Sequence, residues 1–250
     1  MTYPQLINAD CLDAMPALPD QSVDLVLADL PYGSTQCDWD TVIPFEPLWL
    51  EYLRIAKPNA AIVLCAAQPF TAMVVASNPS LFRYEWIWEK GNATGFLNAK
   101  KEPLRAHESA QVFYRRQPVY NPQKTTGHPR KTSKRSKVGS DCYGEARKTV
   151  VYDSTERYPR SVQFFSSDKQ KSKLHPTQKP VAWMEFLIRT YTDPGAIVLD
   201  SCMGSGTTGI AALNTGRGFI GIEDNQKYFE VARQRIEAHA LLGDHGGSAK

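Results

Sequence analysis

Asp29, Leu30, Pro31 and Tyr32 are consecutive, and together they offer a carboxylate, a backbone carbonyl, a rigid turn and an aromatic face. Proline fixes its own φ and restricts the residue before it, so the Leu30 carbonyl can be held beside the Asp29 carboxylate. Two acceptors side by side suit an amino group with two N–H bonds. The nitrogen of an aromatic amine is a poor nucleophile because its lone pair is delocalised into the ring. Holding both N–H groups aims that lone pair outward, and Tyr32 supplies a surface on which a flat ring can stack. A plain strand-end turn would carry the same four residues.

A second group lies far along the chain, in Asp200-Ser201-Cys202-Met203-Gly204-Ser205-Gly206-Thr207-Thr208. Glycines let a backbone turn tightly and approach a ligand, and a helix start presents unpaired N–H groups. Glu223 follows about one strand later and is placed to accept from ribose hydroxyls, as in other nucleoside-holding α/β sheets. The spacing is neither the dinucleotide GxGxxG nor a P-loop, since no lysine follows the glycines. A loop without that lysine suits a nucleoside lacking a phosphate train. A Gly-rich turn of structural use alone remains the competing reading.

Both groups must sit at the ends of strands. Val23, Leu25, Val26, Leu27 and Ala28 form a short apolar run that leads to Asp29 and breaks at Pro31 and Gly33, the pattern of a buried parallel strand opening into a loop. Residues 44–56 repeat apolar side chains at helical spacing. Further strands are expected at 60–66, 84–88, 110–114, 196–200 and 218–223, with helices at 69–76, 180–191, 207–215 and 226–241. Gly216 reads as a helix-ending glycine. Residues 115–173 lose this order, are rich in Pro, Gly, Ser, Thr and Lys, and carry only weak strands near 149–152 and 161–165. The organisation expected is a catalytic part at 1–114, an inserted recognition region at 115–173, a cofactor-binding part at 174–243 and a tail at 244–250.

Charge separates along the chain although the net value is only +3. Residues 1–60 sum to −7, whereas 124–148 carry eight Lys or Arg against Asp141 and Glu145. Lys131, Lys134, Arg135 and Lys137 form the candidate phosphate-contacting cluster; a solvated loop is the alternative. Five scattered cysteines without CxxC or Cys/His spacing point to reduced thiols and no structural metal. His107 and His175 lack partners at ligand spacing. No membrane-length apolar run and no signal-like N-terminus are present, so an intracellular, cytoplasmic protein is expected.

With both loops in view, the chain resembles the amino-methylating DNA methyltransferases that act on adenine N6 or cytosine N4, in the permuted motif order of the beta group. The family's Asp/Asn-Pro-Pro-Tyr motif is similar to residues 29–32, with Leu30 in place of the first proline. Its Asp-x-Phe-x-Gly-x-Gly-Thr-Thr loop resembles 200–208, with Cys202 where Phe is usual. The resemblance extends to HPTQKP at 175–180, from which His175, Thr177 and Lys179 are taken as cofactor-pocket residues, and to NADCLDAM, where Asp10 would reach the cofactor adenine. WIWEKGNATGF at 86–96 looks like an element flanking the target base, with Lys90, Asn92 and Phe96 exposed. AAQPF at 66–70 looks like a loop facing the site, and Arg105–Glu108 like a further family stretch.

The resemblance implies a Rossmann-like α/β fold, S-adenosyl-L-methionine as cofactor and double-stranded DNA as partner, with a homodimer as an option. It implies methyl transfer to adenine N6 after base flipping, with Asp29, Leu30, Pro31 and Tyr32 at the amine. Asp10, His175, Thr177, Lys179, Asp200, Met203, Gly204, Ser205, Gly206, Thr207, Thr208 and Glu223 would surround the cofactor. Cytosine N4 is the alternative acceptor; RNA or protein methylation, or an inactive DNA-binding relative, are more remote ones. Direct attack by an amine needs no covalent cysteine, so Cys202 is read as a wall residue.

Overall fold

The computed structural model describes residues 4–33, 40–135, 150–166 and 178–244. The described chain divides into two compact units, one of residues 1–121 with 161–250 and one of residues 122–160.

The larger unit is a sheet between helices. Its strands are β1 (Gln5–Asn8), β2 (Val23–Asp29), β3 (Ala56–Ala66), β4 (Phe82–Thr94), β5 (Arg105–Phe113), β8 (Val162–Phe165), β9 (Ile197–Asp200) and β10 (Gly218–Glu223). Their order across the sheet is β1-β10-β9-β2-β3-β5-β4-β8. β1, β10, β9, β2 and β3 run parallel; β5 is antiparallel to both neighbours, and β4 and β8 again point the way of β2. The helices are α1 (Cys11–Ala14), α2 (Phe45–Ile55), α3 (Phe70–Ser77), α4 (Val181–Tyr191), α5 (Thr207–Asn214) and α6 (Gln226–Asp244).

Alternation along the strands sorts side chains to two faces. Leu25 and Leu27 pack with Trp183, Leu187, Ala211 and Ile236 of the helices α4, α5 and α6. Val26 and Ala28 pack on the other face with Met15, Tyr52 and Val74, beside α1, α2 and α3. A strand covered on both faces needs apolar residues at successive positions, and this is why β2 reads as an unbroken apolar run from Leu25 to Ala28. In α2 the buried residues Leu48, Trp49, Tyr52 and Ile55 recur at helical spacing, so one stripe faces the sheet.

Trp86 and Trp88 are buried core residues, and their indole N–H groups are satisfied. Trp86 donates to the Tyr191 hydroxyl at 2.6 Å and Trp88 to the Phe165 carbonyl at 2.9 Å. The second bond helps tie β8 to β4. Residues 161–165 thus lie in the main sheet, so the stretch 115–173 contributes to both units. β3 starts earlier than expected because its pairing with β2 skips residues around Pro58, whose missing N–H suits an irregular register.

The smaller unit holds an antiparallel pair, β6 (Lys131–Arg135) with β7 (Val150–Ser154). Arg130 pairs with Asp153 at 2.5 Å and Lys124 with Glu156 at 2.8 Å. Arg157 donates to the Ser154 and Pro129 carbonyls, at 3.1 and 2.5 Å.

Candidate active site

In open parallel sheets, ligands bind beyond the carboxyl ends of strands where the winding direction reverses. Here that point falls between β2 and β9, paired through Leu25 with Val198 and Val26 with Leu199. Asp29 ends β2, Asp200 ends β9 and Glu223 ends β10, so three carboxylates reach the same edge. A cavity of about 360 Å³ opens there.

On one side the cavity is lined by Asp29, Leu30, Pro31 and Tyr32. The Leu30 side chain is buried among apolar residues, anchoring the turn whose carbonyl is wanted. The Tyr32 hydroxyl donates to Asp29 Oδ1 at 2.8 Å, and its ring stacks on Phe70 with centroids 5.0 Å apart. Burial, reinforced by the Asp29 charge, pushes the Tyr32 phenol well above its ordinary pKa. It is a neutral donor at physiological pH. The Gly33 N–H donates to Asp40 Oδ1 at 2.9 Å, which holds the exit from the turn.

Lys179 was expected near the cofactor. It does line the cavity, but its ammonium lies against the loop 29–32: Nζ is 2.7 Å from Asp29 Oδ2, 3.0 Å from Glu108 Oε2 and 3.3 Å from the Tyr32 hydroxyl. Glu108 also pairs with Lys90 through its other oxygen. Lys90 was expected to be exposed, yet its side chain is only 8% exposed because it turns inward to this carboxylate. Four groups therefore alternate in charge, Lys90, Glu108, Lys179 and Asp29. Burial pushes the Lys179 ammonium down, but Asp29, Tyr32 and Glu108 outweigh it and hold the pKa well above normal. For Glu108 burial pushes upward, and the two lysines bring the carboxyl below its usual value. Lys179 and Glu108 therefore keep their charges at neutral pH.

The other side of the cavity is the glycine loop. Asp200, Met203, Gly204, Ser205, Thr207, Thr208 and Glu223 line it. Asp200 accepts from the Cys202 N–H at 3.1 Å, and burial pushes its pKa up to about 7. Glu223 accepts from the N–H groups of Gly204 at 2.9 Å and Asn225 at 3.1 Å. Burial pushes its pKa up to about 7 as well. A carboxylate has about four lone-pair sites, so acceptor capacity remains beside these two bonds. Asp10 caps α1, accepting from the Leu12 N–H at 2.7 Å, and lines the same cavity. β1 brings it there, since Asn8 pairs with Glu223.

Gly206 does not line the cavity. Its φ is +77°, and an added Cβ would lie 2.9 Å from Ile236 and 3.1 Å from Ala232. This glycine serves the turn and the packing of α6, whereas Gly204 lines the cavity. His175 and Thr177 lie outside the described residues. Lys131 and Lys134 are exposed on β6; Arg135 ends that strand, and Lys137 lies outside the described residues.

Sequence reasoning did not single out Glu108 as a site residue, and it gave Phe70 no role. A glutamate two residues before the buried run Ala110–Phe113 was the available signal for the first. Gln178 was likewise passed over, although it is buried against the cavity. Among the described residues no cluster of His, Cys, Asp or Glu could hold a metal ion, and no helix is long and apolar enough to cross a membrane.

The comparisons agree with this geometry. The type II methyltransferase M1.MboII of Moraxella bovis is 28% identical over 250 residues, covering 89% of this chain and 92% of the relative. M.HinfI of Haemophilus influenzae is 26% identical over 281 residues, covering 92% and 67%. Among solved structures, the M1.HpyAVI–SAM complex superposes with a TM-score of 0.64 at 24% identity, covering 94% of this chain and 99% of that one. The cytosine-N4-specific PvuII DNA methyltransferase gives 0.66 at 16% identity, covering 96% and 92%. The N6/N4 methyltransferase family, described as DNA methylase, matches residues 23–234. With Asp29 and the glycine loop facing one cavity and that match spanning most of its length, this chain belongs to the N6/N4 family of DNA methylases.

Proposed function

We propose that the chain transfers a methyl group from S-adenosyl-L-methionine to the N6 amine of adenine in duplex DNA, at a defined sequence and after base flipping. The observation that carries this reading is that Asp29 and the loop 200–208 line one cavity at the β2–β9 edge. The residues present fit the cofactor. The cavity wall carries Asp10, Asp29, Asp40, Asp200, Glu223 and Asp224 against Lys179, a setting for a ligand bearing a sulfonium and an ammonium. Glu223 retains acceptor capacity for ribose hydroxyls. When bound, the cofactor supplies an electrophilic methyl group.

The chain's part is to hold and aim the amine. Asp29 and the Leu30 carbonyl accept its two N–H bonds, with Pro31 fixing the angle between them. Tyr32, backed by the buried Phe70 ring, forms an aromatic wall for the base. Lys179 anchors Asp29 Oδ2 and leaves Oδ1 to exchange the Tyr32 hydroxyl for the amine. The nitrogen becomes acidic only after it is methylated, and Asp29 is then the nearest acceptor for its proton. A carboxylate at the head of the loop supports adenine, since the cytosine enzymes that the motif resembles more often begin with serine.

Duplex DNA incubated with labelled cofactor and digested to nucleosides tests the assignment. N6-methyladenine is expected, N4-methylcytosine would move the acceptor to cytosine, and no labelled DNA would end the proposal. Asp29→Ala should abolish transfer while cofactor binding by calorimetry stays within a few-fold.

A further inference from the structure

The hairpin joining β4 to β5 ends in a tip, residues 95–104, on the same edge of the sheet as Asp29, because β4 points the way of β2. Leu97 is 86% and Phe96 76% exposed, the highest values of any large hydrophobic among the described residues. Neither lines the cavity. Exposed apolar pairs of this kind are unfavourable in water and call for an occupant.

The tip is nonetheless ordered. Gly95 takes φ +92° and starts a single 3-10 turn at Phe96–Asn98. The Asn98 N–H donates to the Gly95 carbonyl at 3.0 Å, and the Asn98 side chain donates to Glu102 at 3.0 Å. Lys100, Lys101 and Arg105 are exposed around it against the single acid Glu102. The hairpin is also tied to the catalytic loop. Its two strands carry Lys90 and Glu108, and Glu108 reaches Asp29 through Lys179. Between the pairs Glu89–His107 and Thr94–Arg105 the register shifts, a bulge that re-aims the projecting end.

We infer that this tip is a wedge: Phe96 and Leu97 insert into the duplex at the target step and fill the space the extruded base leaves, while Lys100 and Lys101 seat on the flanking phosphates. The inference rests on the duplex-DNA reading above and deepens it. Apolar side chains pressed between base steps unstack them, and basic neighbours are what distinguish a nucleic-acid wedge from a protein-docking patch. Removing a base from a paired stack costs a few kcal/mol, least when the base is already unpaired. A wedge therefore matters for a paired target and hardly at all for an unpaired one.

The test uses the full chain with S-adenosylmethionine and two duplexes bearing the methylated site, one fully paired and one with the target base opposite an abasic position. For Phe96→Ala/Leu97→Ala, methylation of the paired duplex should fall about 10-fold or more, while the unpaired target stays within a few-fold of the parent. Phe96→Tyr, which keeps the ring, should retain activity on both. Calorimetric cofactor binding should be unchanged in each variant, which excludes misfolding. Equal activity of the double variant and the parent on the paired duplex would overturn the wedge. So would an equal loss on both substrates. A parent that methylates neither duplex nor plasmid DNA would remove the underlying reading as well.

Discussion

Lys179 Nζ and Asp29 Oδ2 lie 2.7 Å apart although 150 residues separate them in the chain. The ammonium is 5% exposed and also faces Glu108. Removing one partner of such a buried group leaves the others uncompensated, which typically costs about 3–5 kcal/mol. Lys179→Met should lower the melting temperature and kcat together, with cofactor affinity little changed. Glu108→Gln, which keeps the shape, should lower kcat less and move the basic limb of its pH profile downward, because it removes one of the charges that hold Lys179 protonated. A Lys179→Met variant with normal kcat and weakened cofactor binding would return this lysine to the cofactor side.

Glu223 gives a pH signature with a definite sign. Its folded-state pKa of about 7 lies above its ordinary 4.5, so the folded chain keeps a proton that the unfolded chain has already lost. Stability from this group, and from Asp200, which is also near 7, should fall as pH rises from about 4.5 to 7. Hydroxyl donors favour the ionised form, so cofactor affinity should rise across the same window and binding should release a proton. Calorimetry in two buffers of different ionisation enthalpy measures that release. Glu223→Gln should abolish it.

Gly206 and Gly216 both have positive φ, yet they should respond differently to alanine. At Gly216 the added methyl meets nothing within 4 Å, so only backbone strain of about 1–2 kcal/mol applies. At Gly206 the methyl also crowds Ile236 and Ala232, and overpacking adds about 1–3 kcal/mol. Denaturant midpoints should fall for both, and further for Gly206→Ala. Its cofactor affinity should change mainly through the displaced loop.

The basic ribbon should show fewer phosphate contacts than its charge suggests. Lys131 and Lys134 are an odd number of residues apart on β6, so they point to opposite faces. Lys124 and Arg130 already pair with Glu156 and Asp153. With Lys131, Lys134, Arg135 and Lys137 all changed to Ala, four lost contacts would flatten the log K against log salt slope by about 3.6. One face alone should give about half that. Unchanged slopes would take the cluster off the DNA surface.

The sequence by itself determined the local parts. Continuous apolar runs ending in Asp29, Asp200 and Glu223 mark strands buried on both faces, and alternation or helical spacing is a property of neighbouring residues alone. The helix-ending role of Gly216, with φ +73°, was legible for the same reason. Two strands escaped: Gln5–Asn8 is four residues long, and Lys131–Arg135 has no apolar alternation, since both its faces meet water. Tertiary structure decided which strand ends meet. Pairing β2 with β9 joins Val26 to Leu199 across the permuted order, and that adjacency makes the cavity. It also decided what the charges do. Lys179 and Lys90 look alike in sequence to any solvated lysine, but burial beside Glu108 is favourable only where opposite charges from distant strands converge. No local pattern encodes that convergence; the packing of the sheet creates it.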